Sequence, residues 1–191
     1  MREILKKIKN FLIGIVFRAV KETKNYQNPI KLKMRLIQYF TINRKVPWPV
    51  HHNSIVTGYK NIKIGIDVNP GYSPGCYIQG KGQIEIGDHT QIAPNVGIIT
   101  ANHNLYDCRE HIIKSVKIGS YCWIGMNSII TPGVELGDHT IVGAGSVVTK
   151  SFKGGYCVIA GNPAAIIKEL NKNECIKYST EHNYIGYKKI K

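Results

Sequence analysis

Acidic residues are scarce in this chain. Its 191 residues include 26 Lys and Arg but only 12 Asp and Glu, which gives a formal net charge of +14. This excess favours anionic partners such as phosphorylated cofactors, acidic glycans, lipid headgroups or nucleic acid. The sequence has no recognition-helix pattern, zinc-ligand spacing or aromatic RNA-binding motif, so we expect no nucleic-acid partner.

Paired cysteines and long apolar runs are also lacking. The five cysteines are odd in number and form no CxxC pair, which argues against a disulfide framework or a cysteine zinc site and favours reduced thiols. The apolar run at residues 11–17 is far shorter than the roughly 20 residues that span a bilayer, and no small-residue cleavage site follows it. We therefore expect a cytoplasmic protein without a bound metal.

The first 45 residues have helical spacing and many basic residues. Apolar positions recur at Ile4, Ile8, Phe11 and Ile15, and Asn28-Pro29 should separate this helix from a second one, because proline disfavours helix in the residue before it. A basic amphipathic helix can lie on the inner surface of a membrane. It can equally pack against the rest of the protein or a neighbouring subunit, and the sequence leaves both open.

The middle of the chain is built on a six-residue period. Aliphatic residues recur at Ile86, Ile92, Ile98, Ile118, Ile124, Ile130, Leu136, Val142 and Val148. Six residues fit neither a helical period of 3.6 nor strand alternation, but they fit a short strand followed by a corner. Three such blocks make one triangular turn of about 18 residues, with the aliphatic side chains inside and Gly, Asp or Asn at the corners. The pattern predicts a mainly β protein, a parallel β-helix over residues 46–166.

The period breaks in two places. The spacing from His103 to Ile118 does not fit the repeat, so residues 103–117 should protrude as a loop. The repeat ends near Gly154-Gly155, and we predict a short helix from Ala165 to Asn171, with residues 167–191 forming this helix and a basic tail. Loops on rigid scaffolds are where function tends to concentrate.

Five segments in order carry a family resemblance. They are Ile92–Val96, Asn102-His103, Cys122–Gly125, Gly143–Lys150 and Gly161–Ala164. Over about residues 60–170 the chain resembles the hexapeptide-repeat acetyltransferases, in particular the maltose/galactoside O-acetyltransferase type and its polysaccharide O-acetyltransferase relatives. The resemblance implies a left-handed β-helix, a homotrimer with active sites between neighbouring prisms, acetyl-CoA as acyl donor and a sugar or glycan acceptor.

His103 stands at the position of the family's catalytic histidine. A neutral imidazole can take the proton of an acceptor hydroxyl as that hydroxyl attacks a thioester, and can later protonate the departing thiolate. Such a base needs an orienting partner. Glu85, which lies a full turn of the prism earlier, Asp107, Glu110 or a backbone carbonyl could supply it.

The other histidines are weaker candidates. His89 and His139 share the context Gly-Asp-His-Thr and should be repeat corners. His111 lies in the predicted loop and could touch the acceptor.

The remaining matched positions imply a groove for acetyl-CoA. Trp123 matches an aromatic wall near the thiol end of the donor. Gly125, Gly143 and Ala144 would let the pantetheine arm approach the backbone closely.

Later matched positions imply the binding site for the adenosine and phosphates of acetyl-CoA. Thr149 and Lys150 match positions near the adenosine. Gly161, Pro163 and Lys168 belong to the last turn, where basic groups meet the CoA phosphates.

The sequence leaves several functions open. O-acetylation of a sugar hydroxyl, in a cell-surface polysaccharide or its precursor, is the leading hypothesis. N-acetylation of an amino sugar or nucleotide sugar is the second. A carbonic anhydrase of the γ type would need three histidines on zinc, and His103 and His111 lack the spacing it requires. A scaffold that only binds is the fourth.

Overall fold

Three sheets, here called faces A, B and C, form the body of the protein, and their strands are parallel except for the last strand of face C. The computed structural model describes residue 14 and residues 17–190. Face A consists of β1 (Ile55–Thr57), β3 (Tyr77–Gln79), β6 (Gly97–Ile99), β11 (Ile129–Ile130) and β14 (Val147–Val148). Face B consists of β2 (Ile62–Ile64), β4 (Ile84–Ile86), β9 (Val116–Ile118) and β12 (Glu135–Leu136). Face C consists of β5 (Gln91–Ile92), β10 (Trp123–Ile124), β13 (Thr140–Val142), β15 (Cys157–Gly161) and β16 (Ala164–Glu169).

From β3 onward the chain visits faces A, B and C in turn, and each full coil adds one strand to each face. In the residues that the structure describes, the first coil has no strand on face C, and the last contributes to face B only the isolated bridge between Phe152 and Leu136. Ile129 pairs with Val147 and Trp123 pairs with Ile141, so in both cases a residue stacks on the one that follows it by three hexapeptide blocks. Across the insertion the spacing is longer, since Gln91 pairs with Trp123. The expected coil of three blocks is therefore confirmed, and the faces meet at an A–B edge, a B–C edge and a C–A edge.

The core is the column of aliphatic side chains that point inward from successive coils. The fully buried members with the largest side chains include Ile78, Ile84, Ile98, Ile118, Ile124, Ile130 and Ile159. Burial of each contributes roughly 1.5–3 kcal/mol relative to an exposed side chain. This core runs from Val46 to Ala164, and at its first coil Trp48 closes it, its indole N–H donating to the carbonyl of Pro70 at 2.9 Å.

The corners of the coils have left-handed backbone, as the repeat predicts. Non-glycine residues with positive φ are Asp67, His89, Asn95, Tyr121, Asn127, His139 and Tyr156. Asn and Asp tolerate this region better than most residues. The sequence analysis placed His89 and His139 at corners correctly, whereas the two tyrosines were not foreseen.

The N-terminal segment packs on the prism as two helical stretches separated by a turn. Residues 17–22 are helical, and a second helix spans Leu32–Tyr39. The buried amide of Gln38 ties this helix to the first coil, because its Nε2 donates to the carbonyl of Trp48 at 3.0 Å and its Oε1 accepts from the amide of Val50 at 3.2 Å. Ile4, Ile8, Phe11 and Ile15, on which the amphipathic prediction rests, lie outside the described residues.

Smaller elements complete the fold. A 3-10 helix spans Tyr59–Asn61. An antiparallel hairpin, β7 (Ala101–His103) with β8 (His111–Ile113), leaves the prism at the A–B edge. A second hairpin, β17 (Tyr184–Ile185) with β18 (Lys188–Lys189), lies near the C-terminus. No helix within the described part of the chain is long and apolar enough to cross a membrane.

Two predicted boundaries differ from the structure. The predicted helix from Ala165 to Asn171 is wrong, because the chain turns at Asn162-Pro163 and returns as β16, antiparallel to β15. A helix of so few residues is marginal in water, whereas a returning strand satisfies the hydrogen bonds of the last parallel strand. The insertion occupies residues 101–115, between β6 and β9, so it begins and ends slightly earlier than predicted.

Candidate active site

His103 ends β7, at the point where the hairpin stands clear of the A–B edge. The register of the hairpin pairs His103 directly with His111, and their ring centroids lie 4.5 Å apart. A cleft of about 450 Å³ beside them is lined by Asn102, His103, Leu105, Ile112, Lys114 and Pro132. Both imidazoles are exposed, so a solvent-borne acceptor can reach them.

The backbone carbonyl of Cys108 orients the imidazole of His103. Nδ1 of His103 lies 2.5 Å from this oxygen. A carbonyl can only accept a hydrogen bond, so Nδ1 of the neutral ring carries the proton and donates it. Nε2 is then left with its lone pair free, which is the state a general base requires.

The three carboxylates considered as partners of His103 are engaged elsewhere. Glu85 lies on face B and pairs with Lys63 at 3.2 Å. Asp107 pairs with Arg109 at 2.7 Å. Glu110 accepts from the side-chain amide of Asn104 at 3.1 Å. Of the four options that the sequence left open, the backbone carbonyl is the one in contact with the ring.

The pKa of His111 is lowered in this position. The largest cause is desolvation of the ring by the groups around it, and the positive charges of Lys81 and of a protonated His103 lower the pKa further.

Three of the nine predicted donor residues form a column on the C–A edge, and two more lie beside it. Gly125, Gly143 and Gly161 follow one another at a regular interval, one per coil, and the amide of Gly125 donates to the carbonyl of Val142 in the next coil at 2.8 Å. Ala144 is exposed beside the column. The indole of Trp123 is 55% exposed on the adjoining face C.

The glycines of this column are also required by the stacking of coils. A Cβ at Gly125 would lie 2.5 Å from the carbonyl oxygen of Val142, and one at Gly143 would lie 2.9 Å from the Cβ of Ala160. Beside them, Gly145 has no atom within 4 Å of the position its Cβ would take. The glycine column is thus closely packed against the neighbouring coils and open toward solvent. This shape suits a long, thin ligand such as pantetheine.

The remaining predicted donor residues are Thr149, Lys150, Pro163 and Lys168, and the first two lie away from this column. Thr149 and Lys150 follow β14 and are exposed at the A–B edge, one coil beyond the cleft of His103. Lys168 is exposed on β16, and Pro163 occupies the β15–β16 turn beside Gly161. The structure therefore divides the predicted site between two edges of the prism. His103, Thr149 and Lys150 occupy one, and the glycine column with Trp123 the other.

The arrangement suits acyl transfer and an anionic donor. Exposed cations at Lys150 and Lys168 can neutralise phosphates, and the imidazole supplies a base. Among the described residues, no three His, Cys, Asp or Glu side chains are grouped so as to hold a metal ion. The sequence left a backbone carbonyl open as the partner of His103 but could not identify Cys108 as the residue that supplies it, because a backbone group carries no side-chain signal.

Comparison with known proteins identifies the repeat. Residues 115–150 match the family described as bacterial transferase hexapeptide (six repeats). The chain is 41% identical over 78 residues to nodulation protein L of Rhizobium leguminosarum bv. viciae, an alignment that covers 38% of this chain and 40% of that protein. The chain thus spans about two-fifths of the length of the curated relatives it matches.

Two solved structures resemble the chain over most of its length. A maltose O-acetyltransferase from Clostridium difficile 630 superposes with a TM-score of 0.62 at 28% identity, covering 83% of this chain and 89% of that one. A galactoside acetyltransferase in complex with coenzyme A superposes with a TM-score of 0.56 at 30% identity, covering 70% of each chain.

Proposed function

Because this chain belongs to the hexapeptide-repeat acetyltransferases and is an acyltransferase, we propose that it transfers the acetyl group of acetyl-CoA to a sugar hydroxyl. The acceptor in this proposal belongs to a cell-surface polysaccharide or its precursor, and His103 is the general base. The observation that carries the proposal is the hydrogen bond from Nδ1 of His103 to the carbonyl of Cys108. It fixes the tautomer and leaves Nε2 able to accept a proton.

The chemistry follows from this tautomer. Bound acetyl-CoA supplies an activated thioester. Nε2 of His103 accepts the proton of the acceptor hydroxyl while the hydroxyl oxygen bonds to the acetyl carbon. The imidazolium is then stabilised by the Cys108 carbonyl and returns the proton to sulfur as the carbon–sulfur bond breaks.

The division of the site between two edges supports an active site built by two subunits. In a three-sided prism the A–B edge, which carries His103, is opposite face C, which carries Trp123. A donor whose thiol end lies against Trp123 is separated from the His103 of the same subunit by the width of the prism. In our proposal the A–B edge of one subunit meets the C–A edge of the next, in a homotrimer of left-handed coils.

The donor groove in this proposal follows the glycine column. The pantetheine arm passes Trp123, Gly125, Gly143 and Ala144. The phosphates and adenosine lie near Gly161, Pro163 and Lys168, and the adjoining subunit contributes Thr149 and Lys150. The galactoside acetyltransferase that resembles this chain was solved in complex with coenzyme A, which supports the same ligand here.

The cellular location is part of the proposal. Five free thiols, with no disulfide among the described residues, fit a reducing compartment. We therefore place the reaction in the cytoplasm.

An acetyl-CoA consumption assay over a panel of glycan acceptors tests the proposal. We expect His103→Ala to lower kcat by about 10²- to 10⁴-fold, the range typical for loss of a general base, with the homotrimer intact by analytical ultracentrifugation. His52→Ala, at an exposed histidine outside the site, is the matched control and should keep activity. Glycan acetylation that persists in His103→Ala would refute the mechanism.

The same assay separates O- from N-acetylation. An amine is a better nucleophile than a hydroxyl and depends less on a strong base. If amino sugars were acetylated by both the unmodified protein and His103→Ala while no hydroxyl acceptor reacted, the N-acetyltransferase alternative would replace our proposal.

A further inference from the structure

The C-terminal residues 171–190, here called the strap, run back along the prism from its last coil to its first. Midway, the carbonyl of Tyr178 accepts from the hydroxyl of Tyr121 at 3.0 Å, and the hydroxyl of Tyr178 accepts from Gln27 at 3.0 Å. At its far end the hydroxyl of Tyr184 donates to Glu22 at 2.6 Å. The strap is thus held at several points against both the prism and the N-terminal segment.

The strap covers an aromatic ladder on the B–C edge. The ladder consists of His89, Tyr121, His139 and Tyr156, one residue per coil. Their successive ring centroids are 5.3, 4.9 and 5.1 Å apart. The ring of Tyr178 leans on the ladder, 4.8 Å from His89 and 5.4 Å from Tyr121. Stacking at these distances fixes the position of the strap.

A cavity of about 760 Å³ lies between the strap, the N-terminal segment and face C. The strap contributes Ile176 and Tyr178, the N-terminal segment contributes Gln27 and Asn28, and face C contributes Gln91 and Trp123 among others. This volume is within the range of about 300–1,000 Å³ that small-molecule sites occupy.

The lining of this cavity is neutral in a strongly basic protein. Within the described residues it includes no Lys, Arg, Asp or Glu side chain, although the chain has a net charge of +14. Phosphate and carboxylate ligands are recognised by cations or arrays of donors, so this cavity does not suit the anionic end of CoA or an acidic sugar.

The groups that do line the cavity are aromatic rings and side-chain amides. Tyr72, Tyr121, Trp123 and Tyr178 offer ring faces, which attract the weakly positive C–H groups on the face of a sugar ring. Oε1 of Gln91 accepts from the side-chain amide of Asn28 at 2.8 Å and keeps a second lone pair that can accept from a ligand hydroxyl. Nε2 of Gln91 has no partner among the described residues and is closed off from solvent.

Two ladder histidines carry buried polar atoms without partners. His89 and His139 line the cavity and are each more than nine-tenths buried. Nδ1 of His89 and Nε2 of His139 have no hydrogen-bond partner in the described part of the chain. Both atoms are closed off from solvent, so neither is available to a molecule in the cavity without movement of its ring.

From this lining we infer that the cavity beneath the strap is a binding subsite for an uncharged sugar unit of the acceptor. This inference rests on the proposed function and names its acceptor class: a neutral glycan, held by Gln91 and by the ring of Tyr178 beside Trp123. The strap is then a specificity element, because it supplies one wall of the subsite.

Direct glycan binding without acetyl-CoA tests the inference independently of catalysis. The full chain is applied to an array of neutral hexose and N-acetylhexosamine oligosaccharides, with matched oligosaccharides containing uronic acid or phosphate. Saturation-transfer NMR then measures affinity for the best ligand. We expect neutral glycans to bind and Gln91→Leu and Tyr178→Ala to weaken binding about tenfold, the factor that loss of about one good hydrogen bond or stacking contact produces.

Matched controls carry the same substitutions at exposed positions outside the cavity. Gln83→Leu and Tyr39→Ala should bind like the unmodified chain. Tyr178→Phe, which keeps the ring and loses only the bond with Gln27, should lose less affinity than Tyr178→Ala. Binding of acidic glycans alone, binding to no glycan on the array, or equal binding by Gln91→Leu would overturn the inference.

Steady-state kinetics separates an acceptor subsite from a donor subsite. With a glycan that is acetylated, Gln91→Leu should raise the KM for the glycan and leave the KM for acetyl-CoA unchanged. A rise only in the KM for acetyl-CoA would show that the cavity holds the donor and would refute the inference. If no glycan is acetylated at all, the proposed function fails, while glycan binding that Gln91→Leu weakens would still support the subsite.

Discussion

Asp67 should make the protein less stable as the pH rises. It begins the series of left-handed corners on the B–C edge, with a φ of 53°, and it is 3% exposed. Its amide donates to the carbonyl of Tyr184 in the strap at 3.0 Å. Oδ1 has no partner among the described residues. Burial raises the pKa of Asp67 to about 6, an effect that the nearby backbone amides of Asn28 and Gln27 offset in part.

The direction of the pH dependence follows from this raised pKa. At a pH below 3.8, the ordinary pKa of this carboxyl, Asp67 is protonated in both the folded and the unfolded chain, so its ionisation does not lower the free energy of unfolding. Between about pH 4 and pH 6 the unfolded chain loses this proton while the folded chain keeps it, and stability falls as the pH rises. Above about pH 6 the full cost is present, because the folded state then buries a charged carboxylate.

The magnitude can be worked from the same values. A rise from 3.8 to about 6 corresponds to about 3 kcal/mol at roughly 1.4 kcal/mol for each tenfold change in the acid constant. Relaxation of the groups around the buried carboxylate reduces this to about 1–2 kcal/mol. For a chain of this length, that range corresponds to a change in Tm of roughly 2–8 °C.

Replacement of Asp67 by Asn removes the charge and keeps the shape. Asn also tolerates left-handed backbone well, so we expect Asp67→Asn to raise the Tm at pH 8 by roughly 2–8 °C and to change it far less at pH 4. Thermal denaturation followed by circular dichroism at both pH values measures the difference. Asp88→Asn is the control. Asp88 accepts from the amide of Ile66 at 2.7 Å, and Asn can still accept there, so no gain at pH 8 is expected. A gain of equal size at pH 4 and pH 8 for Asp67→Asn would refute the electrostatic reasoning.

Three further predictions test the packing of the coils. Ile124→Ala should lower the free energy of unfolding by about 2–5 kcal/mol, because Ile124 is fully buried, whereas Leu105→Ala, at an exposed position, should change it by less than about 0.5 kcal/mol in denaturant titrations. Gly125→Ala should lower it by about 1–3 kcal/mol through collision with the next coil, and Gly154→Ala, with no atom within 4 Å, should leave the Tm unchanged. A thiol reagent should modify two cysteines of the folded protein and all five in denaturant. The three buried thiols are those of Cys76, Cys122 and Cys157, and burial raises the pKa of the Cys122 thiol to about 11.

The interior of the prism could be predicted from the sequence because the repeat is local. Each inward position, such as Ile124 or Ile130, is recognised from its own six-residue block, and stacking then follows without further information. The repeat breaks beside His103, and the family resemblance implies that this histidine is the catalytic one. The sequence could not choose the partner of His103, because the choice depends on how the hairpin folds back to bring the carbonyl of Cys108 to the ring.

The C-terminal region shows where local reasoning misleads. The segment from Ala164 to Glu169 has neither a helical nor an alternating pattern, and Lys168 and Glu169 favour helix. The deciding factor was the exposed edge of β15, whose backbone groups needed partners. That edge exists only once the prism has been built, so the antiparallel return of β16 is a consequence of tertiary structure that propensity does not encode.

The aromatic ladder was invisible in the sequence for a different reason. The intervals between its members, from His89 to Tyr121, then to His139 and to Tyr156, all differ in length, so no fixed period links them. The hairpin insertion and the shortened last coil disturb the spacing while leaving the corner position of each residue unchanged.

A hexapeptide period identifies the side chains that point into the prism, because the interior constrains every coil in the same way. Residues that pack onto an edge from outside are constrained only by what covers them, here Tyr178 of the strap. The glycan specificity we infer therefore resides in the part of the sequence that the repeat does not govern. Related chains with the same interior and a different strap should bind different acceptors.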